Sequence, residues 1–197
     1  RGLVQKRRVW DNNPSGIQGL ALNTRRAPFD DIRVRKALAF LFNREEMVAK
    51  LMYGAYEPIQ SNYPGSTWEN PENDKVKYDP QQAVKLLADA GYNGRDSQGR
   101  LTRNGAPLTL DLIYGQQDSE KYLTIYQEDL RKAGITLNLR LVTFETMVKM
   151  VDDRQFSMVS SAYTGTLFPN PETSWLSSFA DQKNTNNITG FKNAKVD

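Results

Sequence analysis

The stretch that most restricts how this chain can fold runs from residue 107 to residue 142. Leu108, Leu110, Leu112 and Tyr114 alternate with polar or smaller neighbours, the period of two that a strand with one buried face requires. Tyr122, Ile125, Tyr126 and Leu130 then recur at helical spacing, with Asp118 placed to cap the start and Gly134 to end the helix. Ile135, Leu137, Leu139 and Leu141 alternate again. A strand, a crossover helix and a second strand make a βαβ unit, whose strands run parallel. A further helix from Thr146 to Asp153 and a strand over 156–163 extend the order to βαβαβ. The fold class that follows is α/β, a mixed sheet with flanking helices.

The first half of the chain supplies the flanking layer. Leu20 and Leu22 belong to a strand that ends before Pro28. Asp30 or Asp31 caps a helix whose Val34, Ala37, Leu38, Leu41 and Phe42 form one apolar face. Asn43 and Glu46 make a capping box for a second helix carrying Met47, Val48, Leu51 and Met52, closed by Gly54. Residues 55–77 lack periodicity; Tyr53, Tyr56, Tyr63 and Trp68 lie in or beside this loop and are expected to pin it to the core. Asp79 and Pro80 open a third helix with a stripe of Ala83, Leu86, Leu87 and Ala90, closed by Gly91. Residues 93–105 read as an exposed hairpin, and residues 3–10 as a strand pairing antiparallel with 17–24 across the turn at 11–16. The resulting division is an N-terminal hairpin and strand (1–30), a helical segment with its long loop (31–92) and the βαβαβ core (107–180).

Composition narrows the chemistry. The 197 residues include no cysteine and no histidine, which removes thiolate nucleophiles, disulfides, the Ser-His-Asp arrangement and the commonest metal ligands. No cofactor or metal is expected. Residues 1–50 hold eleven basic and five acidic residues, but much of that charge falls on the solvent side of an amphipathic helix, so nucleic-acid binding is not expected. Asp152-Asp153 and Glu45-Glu46 are the adjacent acid pairs a carboxylate hydrolase would need; neighbours on a helix point in different directions, so catalysis is not expected either.

Two stretches carry a resemblance. LNTRRAPFDD followed by RVRKAL, and YDPQQAVKLLADAGY, resemble the extracellular solute-binding proteins that serve peptide and nickel ABC importers. The resemblance implies a periplasmic-binding-protein-like lobe, the C-terminal half of a two-lobed protein about twice this length or more. It also implies a periplasmic or extracellular location, a monomer, a peptide or peptide-like solute, and ABC permease subunits as the only link to a membrane.

In an open α/β sheet ligands bind at the carboxyl ends of the strands. The strand at 156–163 delivers Tyr163, Thr164, Gly165, Thr166, Phe168 and Asn170 there, and these are the expected ligand-binding residues. The resemblance implies an aromatic in this segment, then an Asp that binds a peptide's α-amino group, then an acidic residue before Pro. Tyr163 and Asn170-Pro171 fit the first and last, whereas Thr166 or Phe168 stands where the Asp belongs. The segment is therefore not expected to select a free peptide N-terminus. Secondary candidates are Asn23 and Arg25, where an arginine can hold a carboxylate or pair with Asp30 or Asp31, together with Tyr63 and Trp175.

Overall fold

A computed structural model describes every residue except 1, 8, 10–15, 54–55 and 167. The elements are β1 (Ile17–Leu22), α1 (Ile32–Phe40), α2 (Arg44–Leu51), α3 (Pro80–Asp89), β2 (Gly94–Arg95), β3 (Leu101–Arg103), β4 (Ala106–Pro107), β5 (Thr109–Tyr114), α4 (Glu120–Ala133), β6 (Thr136–Leu141), α5 (Phe144–Asp152), β7 (Met158–Tyr163) and α6 (Glu172–Trp175). The main sheet has the order β1-β7-β5-β6. β5 runs parallel to both β6 and β7, and β1 runs antiparallel to β7, so the sheet is mixed.

Alternation along β5 sorts the two faces. Leu110, Leu112 and Tyr114 join Leu137 and Met158 in the larger core, which α1, α3 and α4 cover with Val34, Leu38, Leu87, Leu123 and Tyr126. Ile113 points the other way, into a smaller core with Ala21, Phe156 and Val159 beneath Met147, Met150 and Val151 of α5. Each fully buried aliphatic side chain in these layers contributes about 1.5–3 kcal/mol. The helices begin where side-chain oxygens accept the first free amides. Asp31 takes Arg33 N–H at 2.8 Å, Asn43 takes Glu46 N–H at 3.2 Å, and Asp79 takes Gln82 N–H at 2.9 Å. Gly134 closes α4 at φ 90°, a conformation suited to glycine.

Several sequence expectations change. Among the described residues the hairpin between 3–10 and 17–24 is not seen: residues 3–7 and 9 are exposed and carry no strand, while residues 8 and 10 and the turn at 11–15 lie outside the described residues. β1 pairs with β7, Ile17 opposite Tyr163 and Leu22 opposite Met158, and that register lets Ala21 join Val159 in the smaller core. Among the described residues β1 has no neighbour along its other edge. Ser119, not Asp118, occupies the N-cap position of α4, behind a 3-10 turn over 117–119. α5 starts at Phe144 because Thr143 Oγ1 accepts from Thr146 N–H at 3.2 Å. The 93–105 hairpin gains a third short strand, β4. The expected stop at Gly54 falls outside the described residues.

The aromatics of the long loop do not pin it. Tyr53, Tyr56 and Trp68 are exposed, and Tyr63 is half-buried. Arg44 clasps the neck of the loop, donating to Ile59 O at 2.6 Å and also to Val76 O. Gln60 bonds the amide and the carbonyl of Val76 at 3.2 and 3.1 Å. Partly buried hydrogen bonds to the backbone hold this connection where apolar contact was expected.

Candidate functional site

The three parallel strands end at one edge of the sheet. β5 connects through α4 to β6 on one side, and β7 lies on its other side, so the strand order reverses between β5 and β7. In open α/β sheets ligands bind outside the carboxyl ends of the strands at such a reversal. β7 delivers Tyr163, Thr164, Gly165, Thr166, Phe168 and Asn170 to this edge, and all six are exposed. Tyr163 is 41% exposed and Phe168 80% exposed, so two aromatic rings are offered outward. Asn170 is partly engaged, its Oδ1 accepting from Glu172 N–H at 3.0 Å at the start of α6.

Gly16 fixes where this segment can run. A Cβ there would stand 2.7 Å from Tyr163 O and 3.5 Å from Gly165 N. Gly16→Val is expected to displace residues 163–165 and to cost about 1–3 kcal/mol of stability. Urea denaturation measures the cost, and weakened solute binding in the full-length protein reports the displacement.

Beside β7 runs a polar chain that sequence reading missed. Gln18, opposite Ala162, donates from Nε2 to Tyr122 Oη at 3.0 Å, and Tyr122 in turn donates to Ser119 Oγ at 2.6 Å. No local pattern signals it, because Gln18 and Tyr122 lie more than a hundred residues apart. The lining is uncharged: no side chain from Tyr163 to Asn170 is ionised at neutral pH. Desolvation raises the Tyr163 phenol above its ordinary value, opposed by a hydrogen bond to Ser161 and by the charge of Arg154, so it remains neutral.

Asn23 and Arg25 are not part of this constellation. β1 runs antiparallel to β7, which puts them beyond Met158, about 17 Å or more along the sheet from Tyr163. Asn23 is fully buried and donates to Arg154 O and Phe156 O at 3.3 and 3.0 Å. Arg25 donates to Ala180 O at 2.8 Å, Ile188 O at 2.9 Å, Asn187 O at 3.0 Å and Asn23 Oδ1 at 2.9 Å. Its nearest carboxylate is Asp181 at 3.7 Å, in place of the expected Asp30 or Asp31. Burial lowers the Arg25 pKa, Arg154 lowers it further, and Asp181 opposes both. Trp175 packs edge-on against Phe191 at 5.3 Å and 88°, a packing contact. Tyr63 stays in the long loop, its carbonyl accepting from Ser66 Oγ at 2.8 Å.

Comparison with known proteins gives this edge its context. Residues 3–186 match the family model described as bacterial extracellular solute-binding proteins, family 5 Middle. The chain belongs to this family. The family 5 chain is 26% identical over 216 residues to a protein of Agrobacterium fabrum named "Probable peptide-binding protein YejA", covering 92% of this chain and 35% of that one. The structure of the oligopeptide-binding protein AppA from Bacillus subtilis, in complex with a nonapeptide, superimposes with a TM-score of 0.85 at 25% identity, over 94% of this chain and 38% of AppA. NikA from Brucella suis, in complex with Fe(III)-EDTA, gives 0.71 at 28% identity, over 78% of this chain and 31% of NikA. The fold is thus that of a periplasmic binding protein, and the family 5 chain spans 38% or less of the length of each of these relatives. Among the described residues no helix is long and apolar enough to cross a membrane.

Proposed function

We propose that this chain is one lobe of the solute-binding component of an ABC importer. It holds a peptide or peptide-like solute in a cleft shared with the rest of the full-length protein, without catalysis. The full-length protein is read as a monomer of the periplasm or cell exterior that passes its solute to a membrane permease. The observation that carries this reading is the exposed, uncharged, aromatic-bearing segment Tyr163–Asn170 at the carboxyl edge of a sheet like that of the nonapeptide-bound AppA. Extended peptides are held by such backbone and aromatic surface, with charges only at their ends.

The neutral segment has no carboxylate for an ammonium group, an interaction worth about 1.5–3 kcal/mol. The favoured solutes are therefore longer or N-blocked peptides. Calorimetric titration of the full-length protein with hexapeptides, free and N-acetylated, tests this. Tyr163→Ala and Phe168→Ala are each expected to weaken binding about tenfold. Acetylation is expected to change affinity less than about threefold. Unchanged binding in both variants, or an absolute need for the free amine, would refute the proposal.

A further inference from the structure

The main sheet is split toward its carboxyl edge. β5 and β7 pair at two positions only, Leu112 with Met158 and Ile113 with Val159. β7 then continues for four more residues, and among the described residues Ser160–Tyr163 pair with β1 alone. No backbone ladder therefore joins the segment that follows β5, residues 115–119, to the segment that follows β7. These are the two segments on either side of the point where the strand order reverses.

The polar chain from Gln18 to Ser119 crosses this split. Gln18 stands opposite Ala162 and, by alternation, on the face of Leu20 and Leu22, which belongs to the larger core under α4. β7 lies between β1 and β5, so the 3.0 Å bond from Gln18 Nε2 to Tyr122 Oη spans it. The Tyr122 ring packs on the larger core, and its hydroxyl donates to Ser119 Oγ at 2.6 Å.

Both ends of the chain are fixed. Ser119 is buried and its amide donates to Gln116 O at 3.0 Å, so one end holds the connection after β5. At the other end Gln18 lies two residues from Gly16, which leaves no room for a side chain against Tyr163 O. A shift of Gln18 is thus passed to residues 163–165.

We infer that Tyr122 is a positioning residue for solute binding: with Gln18 and Ser119 it sets the spacing between the segment after β5 and the segment after β7. This rests on the solute-binding reading above and deepens it by naming what holds the two sides of the site in register. A separation fixed before the solute arrives spares the cost of ordering both segments on binding.

The test is calorimetric titration of the full-length protein with an N-acetylated, C-amidated hexapeptide, which carries no terminal charge. Tyr122→Phe keeps the ring in the core and removes the hydroxyl; Gln18→Met keeps the length of the side chain and removes the donor. Each is expected to weaken binding about fivefold. The double variant is expected to lose no more than either single one, because both break the same chain. Gln18→Glu restores a partner, its carboxylate accepting from Tyr122 and Tyr122 from Ser119, and is expected to bind within about twofold of wild type. A contact that served stability alone would move the urea midpoint and leave affinity where it was. Affinities within about 1.5-fold of wild type in both single variants therefore overturn the inference. Additive losses in the double variant overturn it too, as does a Gln18→Glu protein that binds no tighter than Gln18→Met. A wild-type protein that binds neither this peptide nor the free hexapeptide refutes the peptide reading itself, whereas wild-type binding alongside unaffected variants refutes the positioning role alone.

Discussion

Arg25→Met is expected to destabilise the chain by about 2–4 kcal/mol, since it orphans buried carbonyls that the guanidinium now serves. Methionine keeps most of the apolar stem and removes every donor, so the loss isolates the hydrogen bonds from the packing. Arg25 joins the end of β1 to three carbonyls between residues 180 and 188. Arg154 does the same from the amino end of β7, donating to Gln182 O at 2.7 Å and Thr185 O at 2.9 Å. The two cations stand close enough for Arg154 to depress Arg25, and this repulsion is relieved in the variant. That relief offsets part of the loss and sets the lower end of the range. Urea denaturation reads the total. Amide exchange localises it: residues 176–191 are expected to lose protection while β5 and α4 keep theirs. A loss under about 1 kcal/mol with unaltered exchange would show that the arginine is dispensable.

The second large effect concerns binding. The isolated chain is expected to hold its solute at least about a hundredfold more weakly than the full-length protein. A cleft ligand is covered over most of its surface, whereas Tyr163 and Phe168 stand open to solvent on this chain. One lobe supplies a fraction of the contacts and still bears the full cost of fixing the ligand. Calorimetry on both forms with the same hexapeptide decides it, and equal affinities would end the two-lobe reading.

What could be read from the residues alone follows the range of the forces involved. The unit from β5 through α4 to β6 was legible because its period, its glycine stop and its alternation are local. The helix starts at Asn43 and Asp79 were legible for the same reason, and the first was narrowed to Asp30 or Asp31, since a cap acts within three residues. The partner of β1 was not: Leu20 and Leu22 define a buried face but not the strand beside it, which comes from Met158–Tyr163, far along the chain. Arg25 misled for a related reason. An arginine after a strand looks the same whether it awaits a carboxylate or serves carbonyls more than 150 residues away. Topology alone puts residues 163–170 after the end of β7, while the bond between Gln18 and Tyr122 depends on tertiary pairing.

The pairing of residue 17 with residue 163 also governs the order in which this molecule can be born. During synthesis β1 emerges early and must wait for β7, while β5, α4 and β6 can assemble among themselves as soon as they leave the ribosome. Long-range closure of this kind slows folding and leaves early segments exposed in the interim. The first strand thus stays without its partner until residues 158–163 have been made, and β7 is the latch that closes this part of the sheet.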